Sequence, residues 1–239
     1  MIHRSPTGTP QGGAISPLLA NSSRHSGRDL WAERRLRKLR RGELVLVRYA
    51  DDAIVGFQQA DDAETFRRAL AGRLAQFGLE LNAAKTRRLE VGRCAAERVA
   101  RRGTKPETFD CLGFTPIGGR TRRGWFQVRR KTSKKRLRRF VTATVGWCKA
   151  NRHVPLPDQG RILCGKLRGH YQYYGVAGNR NGLQVVYERV VRGWRQWLNR
   201  RSQRARMPWL RFTALLRRYP LLRPVLRPLS PVVVPGGLF

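Results

Sequence analysis

Two apolar runs of β character, Leu44-Val45-Leu46-Val47 and Ala53-Ile54-Val55-Gly56-Phe57, are broken by Arg48-Tyr49-Ala50-Asp51-Asp52. Apolar runs this close around a short acidic break read as a β-hairpin with the acids at or near its tip. Adjacent carboxylates repel, so a hairpin presenting two of them favours a cation between or above them. A hard divalent ion such as Mg²⁺ suits that place, because it takes carboxylate oxygens and keeps positions for water and phosphate. Such an ion can activate a hydroxyl and stabilise an oxygen leaving phosphorus. An isolated Asp-Asp is more often a solvated turn, since Asp bonds its own local backbone. The rest of the chain shifts that balance.

Charge shifts it first. The 239 residues hold 50 Lys plus Arg against 15 Asp plus Glu, a formal net charge of +35, and the pI is near 11.8. Self-repulsion at such a charge destabilises a compact state, so a polyanionic partner is expected. Nucleic acid is the leading candidate and an anionic membrane surface the weaker one. Arg predominates over Lys, which suits bidentate phosphate contacts and stacking on bases. No secretory signal and no membrane-spanning run is evident, so a cytoplasmic protein with no membrane association is expected. Cys94, Cys111, Cys148 and Cys164 are scattered without a Cys-x-x-Cys pair, which favours buried thiols over disulfides or zinc. His3, His25, His153 and His170 also lack metal-ligand spacing.

The pattern predicts an α+β fold. After the hairpin, Asp61 is expected to cap a helix, with Glu64 at the capping-box position and Gly78 as its stop. Phe66, Leu70, Leu74 and Phe77 supply its apolar face. Leu79-Glu80-Leu81, Leu89-Glu90-Val91 and Phe109 to Phe114 read as short strands. Gly118-Gly119 and Gly124 punctuate a second hairpin containing Trp125-Phe126-Gln127-Val128. From Arg130 the pattern turns helical and more basic. Ser133 is expected to cap a helix with Leu137, Phe140, Val141, Val145 and Cys148 on one side. A second helix runs from near Asp158 to Tyr171. Asn179 to Gly182 reads as a loop, followed by a stripe of Leu183, Val186, Val190, Trp194, Trp197 and Leu198. The stripe assigns both tryptophans mainly to packing. A last helix starts at Met207-Pro208 and ends at Tyr219-Pro220.

In this order the segments resemble the back half of a group II intron-encoded reverse transcriptase/maturase. Gly8-Thr9-Pro10-Gln11-Gly12-Gly13-Ala14-Ile15-Ser16-Pro17-Leu18-Leu19-Ala20-Asn21 is similar to that family's Pro-Gln-Gly block, on the substrate and template side of the palm. Glycines there permit close backbone approach, and Gln11 offers a donor and an acceptor. Arg48 to Asp52 resembles the family's metal-binding hairpin. Gly78-Leu79-Glu80-Leu81-Asn82 through Lys85-Thr86 resembles the next palm block, whose lysine lies near the incoming triphosphate. Leu112-Gly113-Phe114 is similar to the strand gripping the primer end. Leu167-Arg168-Gly169-His170-Tyr171-Gln172-Tyr173-Tyr174-Gly175 resembles the helical thumb, or maturase, domain.

The resemblance implies a partial palm over residues 1–129, a helical RNA-binding thumb/maturase domain over 130–220 and a Pro-rich, disordered tail over 221–239. It implies RNA-directed DNA synthesis: attack of a primer 3′-hydroxyl on a deoxynucleotide α-phosphate, assisted by Mg²⁺ or Mn²⁺. Asp51, with Asp52 beside it, is the implied catalytic metal ligand. Gln11 and Gly12 would contact substrate or template, and Lys85 the triphosphate. Arg129, Arg130, Lys131, Lys134, Lys135, Arg138 and Arg139 form the expected RNA-binding cluster. The implied partners are intron RNA, an RNA template, a DNA primer and deoxynucleoside triphosphates. Successive strand residues point to opposite faces, so Asp51 and Asp52 do not share one ion symmetrically and another carboxylate is needed. In the family that acid and the fingers lie upstream of the Pro-Gln-Gly block, and Asp29, Glu43 and Asp110 do not match its motif. The expectation is an N-terminally truncated enzyme, inactive alone, with a separate chain as one source of the missing parts. Ser22 to Gly27 also replaces the apolar helical continuation expected after Asn21. The rival expectation is a non-catalytic protein that stabilises intron RNA.

Overall fold

A computed structural model describes residues 44–49, 52–82, 86–92, 107–121, 123–202 and 206–227, with the single positions Trp31, Arg34, Gly42, Ala95 and Arg101. The chain divides between Arg88 and Leu89 into two compact units. The described elements are mixed α and β, with two separate two-stranded antiparallel sheets and five helices.

In the first unit, β1 (Leu44–Tyr49) pairs with β2 (Asp52–Phe57), from Leu44 opposite Phe57 to Tyr49 opposite Asp52. Alternation sorts the hairpin into two faces. Leu44, Leu46, Val55 and Phe57 pack with Trp31 and Leu70 around buried Phe66. Val45, Val47 and Tyr49 are left 59%, 53% and 65% exposed. Phe66 lies on α1 (Ala60–Ala75).

The α1 N-terminus differs from the expected capping box. Gln59 is the N-cap and no side chain caps the helix, while Asp61 and Asp62 fall within the first turn. There they still complement the positive end of the helix dipole. Glu64 is drawn away from the backbone by two guanidiniums: Arg67 donates to both its oxygens at 2.7 and 3.1 Å, and Arg68 Nε donates at 3.2 Å. The hydrogen bond from Arg67 leads in holding its carboxyl at about 2. The C-terminal stop is where the sequence puts it. Gly78 adopts φ 66°, its N–H donates to Ala75 O and that of Leu79 to Leu74 O, a Schellman closure that needs a left-handed residue. The strands expected at 79–81 and 89–91 do not form. A three-residue apolar alternation has nothing to pair with among the described residues.

The second unit begins with a tight turn. Cys111 and Phe114 exchange both backbone hydrogen bonds, each at 2.8 Å, across Leu112 (φ 51°) and Gly113 (φ 79°). The strand expected over 109–114 therefore starts only at Phe114. β3 (Phe114–Arg120) pairs with β4 (Phe126–Thr132), so Gly118 and Gly119 lie within a strand and only Gly124 serves the turn. Contacts group this hairpin with the helices, although the sequence pattern changes later, near Arg129-Arg130.

Four helices follow: α2 (Lys134–Ala150), α3 (Leu156–Tyr174), α4 (Arg180–Leu198) and α5 (Trp209–Arg218). Ser133 caps α2 as expected, its side chain accepting from the Arg136 N–H. Helix α3 starts two residues before Asp158, because Pro157 fits a first turn that needs no N–H at that position. The core joins Cys148, Leu163, Leu167, Tyr171, Leu183, Val186, Val190, Trp194, Leu198, Phe212 and Leu221. Trp194 is fully buried, donates to Gln159 Oε1 at 2.7 Å and meets Phe212 edge-on at 5.8 Å. Gln159 in turn donates to the carbonyls of Arg152 and Val154, which Arg201 also grips.

The expected loop at Asn179–Gly182 is instead the start of α4. Buried Asn179 donates to Thr132 Oγ1 at 2.7 Å and Tyr174 O at 2.8 Å, and accepts from the Thr132 N–H at 3.0 Å. One side chain thus ties β4, α3 and α4. The segment after Pro220 is extended but held: Leu221 is buried, Leu222 and Leu226 pack on the core, and the Arg227 N–H donates to Gly175 O. The expected disorder does not apply to 221–227, and residues 228–239 lie outside the described residues.

Candidate nucleic-acid interface

The aspartate hairpin forms where the two apolar runs require it. Tyr49 pairs with Asp52 at the end of the hairpin, and Ala50 and Asp51 lie between them in the sequence. Asp51 and the Asp52 side chain lie outside the described residues, as do Gln11, Gly12 and Lys85. Among the described residues no group of three or more His, Cys, Asp or Glu could hold a metal ion.

The basic cluster sits on β4 and the first turns of α2. Arg129, Lys131, Lys134, Lys135, Arg138 and Arg139 are exposed, and Arg130 is half-buried. Leu137, Phe140 and Val141 face the core, which pushes the intervening cations outward. No acid occupies the first turn of α2. Cations there oppose the helix dipole and cost some helix stability. Their positive potential adds to that of the unpaired N–H groups, an arrangement that attracts an anion. From Cys111 to Pro157 the sequence contains no Asp or Glu.

Leu112-Gly113-Phe114 is built into this unit. Tyr173 donates its hydroxyl to Leu112 O at 2.9 Å and stacks on Phe114 at 5.8 Å. The Ser133 N–H donates to Gly113 O at 2.9 Å. A Cβ on Gly113 would lie 2.7 Å from the Tyr174 hydroxyl oxygen, so glycine is required by space as well as by φ. His170 packs between Phe140 and Tyr174, with ring centroids at 4.2 and 4.6 Å. Burial depresses its pKa to about 4. It packs as part of this aromatic cluster. Burial raises the Cys148 thiol to about 11, and Cys148 and Cys164 are not in disulfides.

Sequence reasoning placed the basic residues but missed the exposed aromatic beside them. Trp125, at the tip of the β3–β4 hairpin, is 72% exposed. Its signal was the period-two pattern Trp125, Gln127, Arg129, Lys131, which alternation puts on one face.

Residues 2–116 match the family model described as reverse transcriptase (RNA-dependent DNA polymerase). That reverse transcriptase match covers the Pro-Gln-Gly block, the aspartate hairpin, α1 and the Leu112-Gly113-Phe114 turn. It ends within β3, so β4 and the helices α2–α5 lie beyond it. No curated protein matches the chain. None of the described helices is long and apolar enough to cross a membrane.

Proposed function

We propose that the chain is part of a group II intron-encoded reverse transcriptase/maturase, in which the matched segment supplies palm elements and the helical unit binds intron RNA. The observation that carries this reading is the continuation of a polymerase-family segment into a folded, acid-free basic surface on β4 and α2. Reverse transcriptases engage a template and a primer, and a separate basic surface adds the capacity to hold a structured RNA through its phosphates.

In this reading Asp51, with Asp52 beside it and a further carboxylate opposite, would hold the divalent cation, Mg²⁺ or Mn²⁺. When bound, the ion supplies positive charge against the oxygens of the transferring phosphoryl group. Gln11 and Gly12 line the template and substrate side, and Lys85 neutralises the triphosphate of the incoming deoxynucleotide. The primer 3′-hydroxyl then attacks the α-phosphorus and pyrophosphate leaves. Arg130, Lys131, Lys134, Lys135, Arg138 and Arg139 track RNA phosphates, with Arg129 at their edge. Successive strand residues point to opposite faces, so a further palm carboxylate is required beside Asp51, and synthesis is proposed for an assembly that supplies it.

A second reading, a non-catalytic protein that stabilises intron RNA, is favoured by one observation: the helical unit has its own continuous core. Primer extension on an RNA template, with and without the complementing palm segment, separates the two. Synthesis dependent on Asp51 establishes the enzyme. Tight binding of structured intron RNA without any such synthesis in either arrangement favours the second reading.

A further inference from the structure

We propose that Trp125 is a stacking platform for an unpaired nucleobase, with the exposed face of β4 carrying the backbone of the same strand. The proposal extends the RNA-binding reading above to a particular site and ligand chemistry. It starts from the way the hairpin closes. The Gly124 N–H donates to Thr121 O, and the Thr121 N–H donates to Trp125 O at 2.8 Å. The Trp125 N–H donates to Thr121 Oγ1 at 3.1 Å. With Gly124 at φ 81°, this is a three-residue hairpin loop ending in a left-handed glycine. Both backbone groups of Trp125 are therefore fixed while its indole is 72% exposed. A large apolar ring held out to water is uncommon at a loop tip. No ring or cation packs on this indole among the described residues.

The surroundings select the ligand. Trp125, Gln127, Arg129 and Lys131 alternate along one face of the ribbon and all are exposed. At ~3.4 Å rise per residue that row spans roughly 20 Å, room for several nucleotides. Gly119 stands directly opposite Gln127 in register and adds no side chain, which leaves room for the Arg129 guanidinium to lie across it. Gln127 offers both a donor and an acceptor to a base edge, and the stem of Arg129 lies against Gly178. A protein partner would meet a stretch without a single acid between Asp110 and Asp158. A nucleic-acid strand meets it with complementary charge and a π-face for the indole, the pairing used by proteins that bind single strands. Duplex bases are stacked on one another and offer no such face. RNA and DNA strands share the chemistry.

The test uses the full chain and its Trp125→Ala and Trp125→Phe variants. Each is titrated with an oligouridylate RNA, an oligothymidylate DNA and a blunt RNA duplex across a salt series. Trp125→Ala should weaken single-strand binding by roughly tenfold, the loss typical of one stacked base. Trp125→Phe should keep most of the affinity. The salt slope should not change, because no charge is removed, and the duplex should be affected least. Loss on only one of the two single strands assigns the natural ligand to RNA or to DNA. If the wild type binds with a steep salt slope and Trp125→Ala binds equally well, the stacking site is wrong and the RNA-binding reading stands. If the wild type shows no salt-dependent binding, both fall together. Photocrosslinking of an iodouridine-substituted strand to the unmutated chain gives a reading independent of variant folding. An adduct at Trp125 is expected, and adducts confined to other segments overturn the proposal.

Discussion

The aspartate hairpin and the helical unit bury their apolar residues very differently. The described core around the hairpin centres on Phe66, and the opposite sheet face leaves Val45, Val47 and Tyr49 in water. The helical unit closes a continuous core around Trp194, Phe212 and a series of Leu and Val, and it adds buried hydrogen bonds through Asn179 and Gln159. Burial of apolar surface stabilises at roughly 25 cal/mol per Å², and the described core of the helical unit is the larger of the two. In the proposed reading the chemistry falls to the hairpin, while the larger described core lies in the helical unit. A reacting end needs charge and access, whereas an RNA-holding module can be a well-packed body with cations on its outside.

The contrast is tested hardest at Asp51. In an active assembly that supplies the further palm carboxylate, Asp51→Asn keeps the side-chain shape and removes the charge proposed to hold the cation. Primer extension should fall by about a thousandfold or more, the scale of several kcal/mol of charge stabilisation. RNA affinity should be unchanged or slightly higher, because a negative charge near phosphate is gone. Equal loss of binding and synthesis would show that Asp51 serves folding and that the two functions are not separable.

The next largest effects are on stability. Trp194→Ala removes a fully buried ring and leaves Gln159 without one partner, so a loss of about 3–5 kcal/mol is expected in chemical denaturation. Asn179→Ala leaves the Thr132 N–H without its acceptor and its hydroxyl without a donor at the junction of β4, α3 and α4, while the Tyr174 carbonyl keeps the Val176 N–H, for about 2–4 kcal/mol. Residues 89–239 expressed alone should melt cooperatively. A broad, uncooperative transition for that segment would remove the basis of the comparison.

Much of this was legible in the sequence, for a reason that also explains the failures. The hairpin and the helices announce themselves through local periodicity: apolar runs around a polar break, and stripes such as Leu183, Val186, Val190 and Trp194. The family resemblance likewise rests on short consecutive blocks. What stayed hidden depends on distant partners. Asn179 looked like a loop residue because its role is set by Thr132, 47 positions away. Leu79-Glu80-Leu81 looked like a strand because pairing, which a strand requires, is not written in three residues. Residues 221–227 looked disordered by proline content, yet Leu221 finds a core site. Asp61 lost its capping role because Ala60 already begins the helix and Glu64 is held by arginines.

A smaller effect concerns the basic face itself. Replacing Lys134, Lys135, Arg138 and Arg139 by Gln removes exposed charge from α2 without touching Leu137, Phe140 or Val141. Each phosphate no longer neutralised should reduce the slope of log affinity against log salt by roughly 0.7 to 0.9, up to about 3 for the set. Filter binding across a salt series measures it, and melting should be unchanged. An unaltered slope would mean that the cations are merely solvated and that RNA lies elsewhere.

The smallest expected effect is a pH dependence confined to the helical unit. His170 is buried against Phe140, Tyr171 and Tyr174, its Nε2 has no hydrogen-bond partner, and burial lowers its pKa to about 4 from an ordinary 6.5. The folded state therefore holds the ring neutral, while the unfolded chain takes up a proton below 6.5. Stability from this residue is fully present above pH 6.5 and is lost as pH falls towards 4, since the unfolded state binds the extra proton. By pH 5 the loss should be about 1–2 kcal/mol. Carboxylates titrate over the lower part of this range, so the comparison is made against His170→Phe, which fills the same place between rings without a titrating nitrogen. Thermal melts of both proteins at pH 7 and pH 5 should show a larger fall for the wild type. Parallel falls would place the acid sensitivity in the carboxylates and leave His170 as a packing residue only.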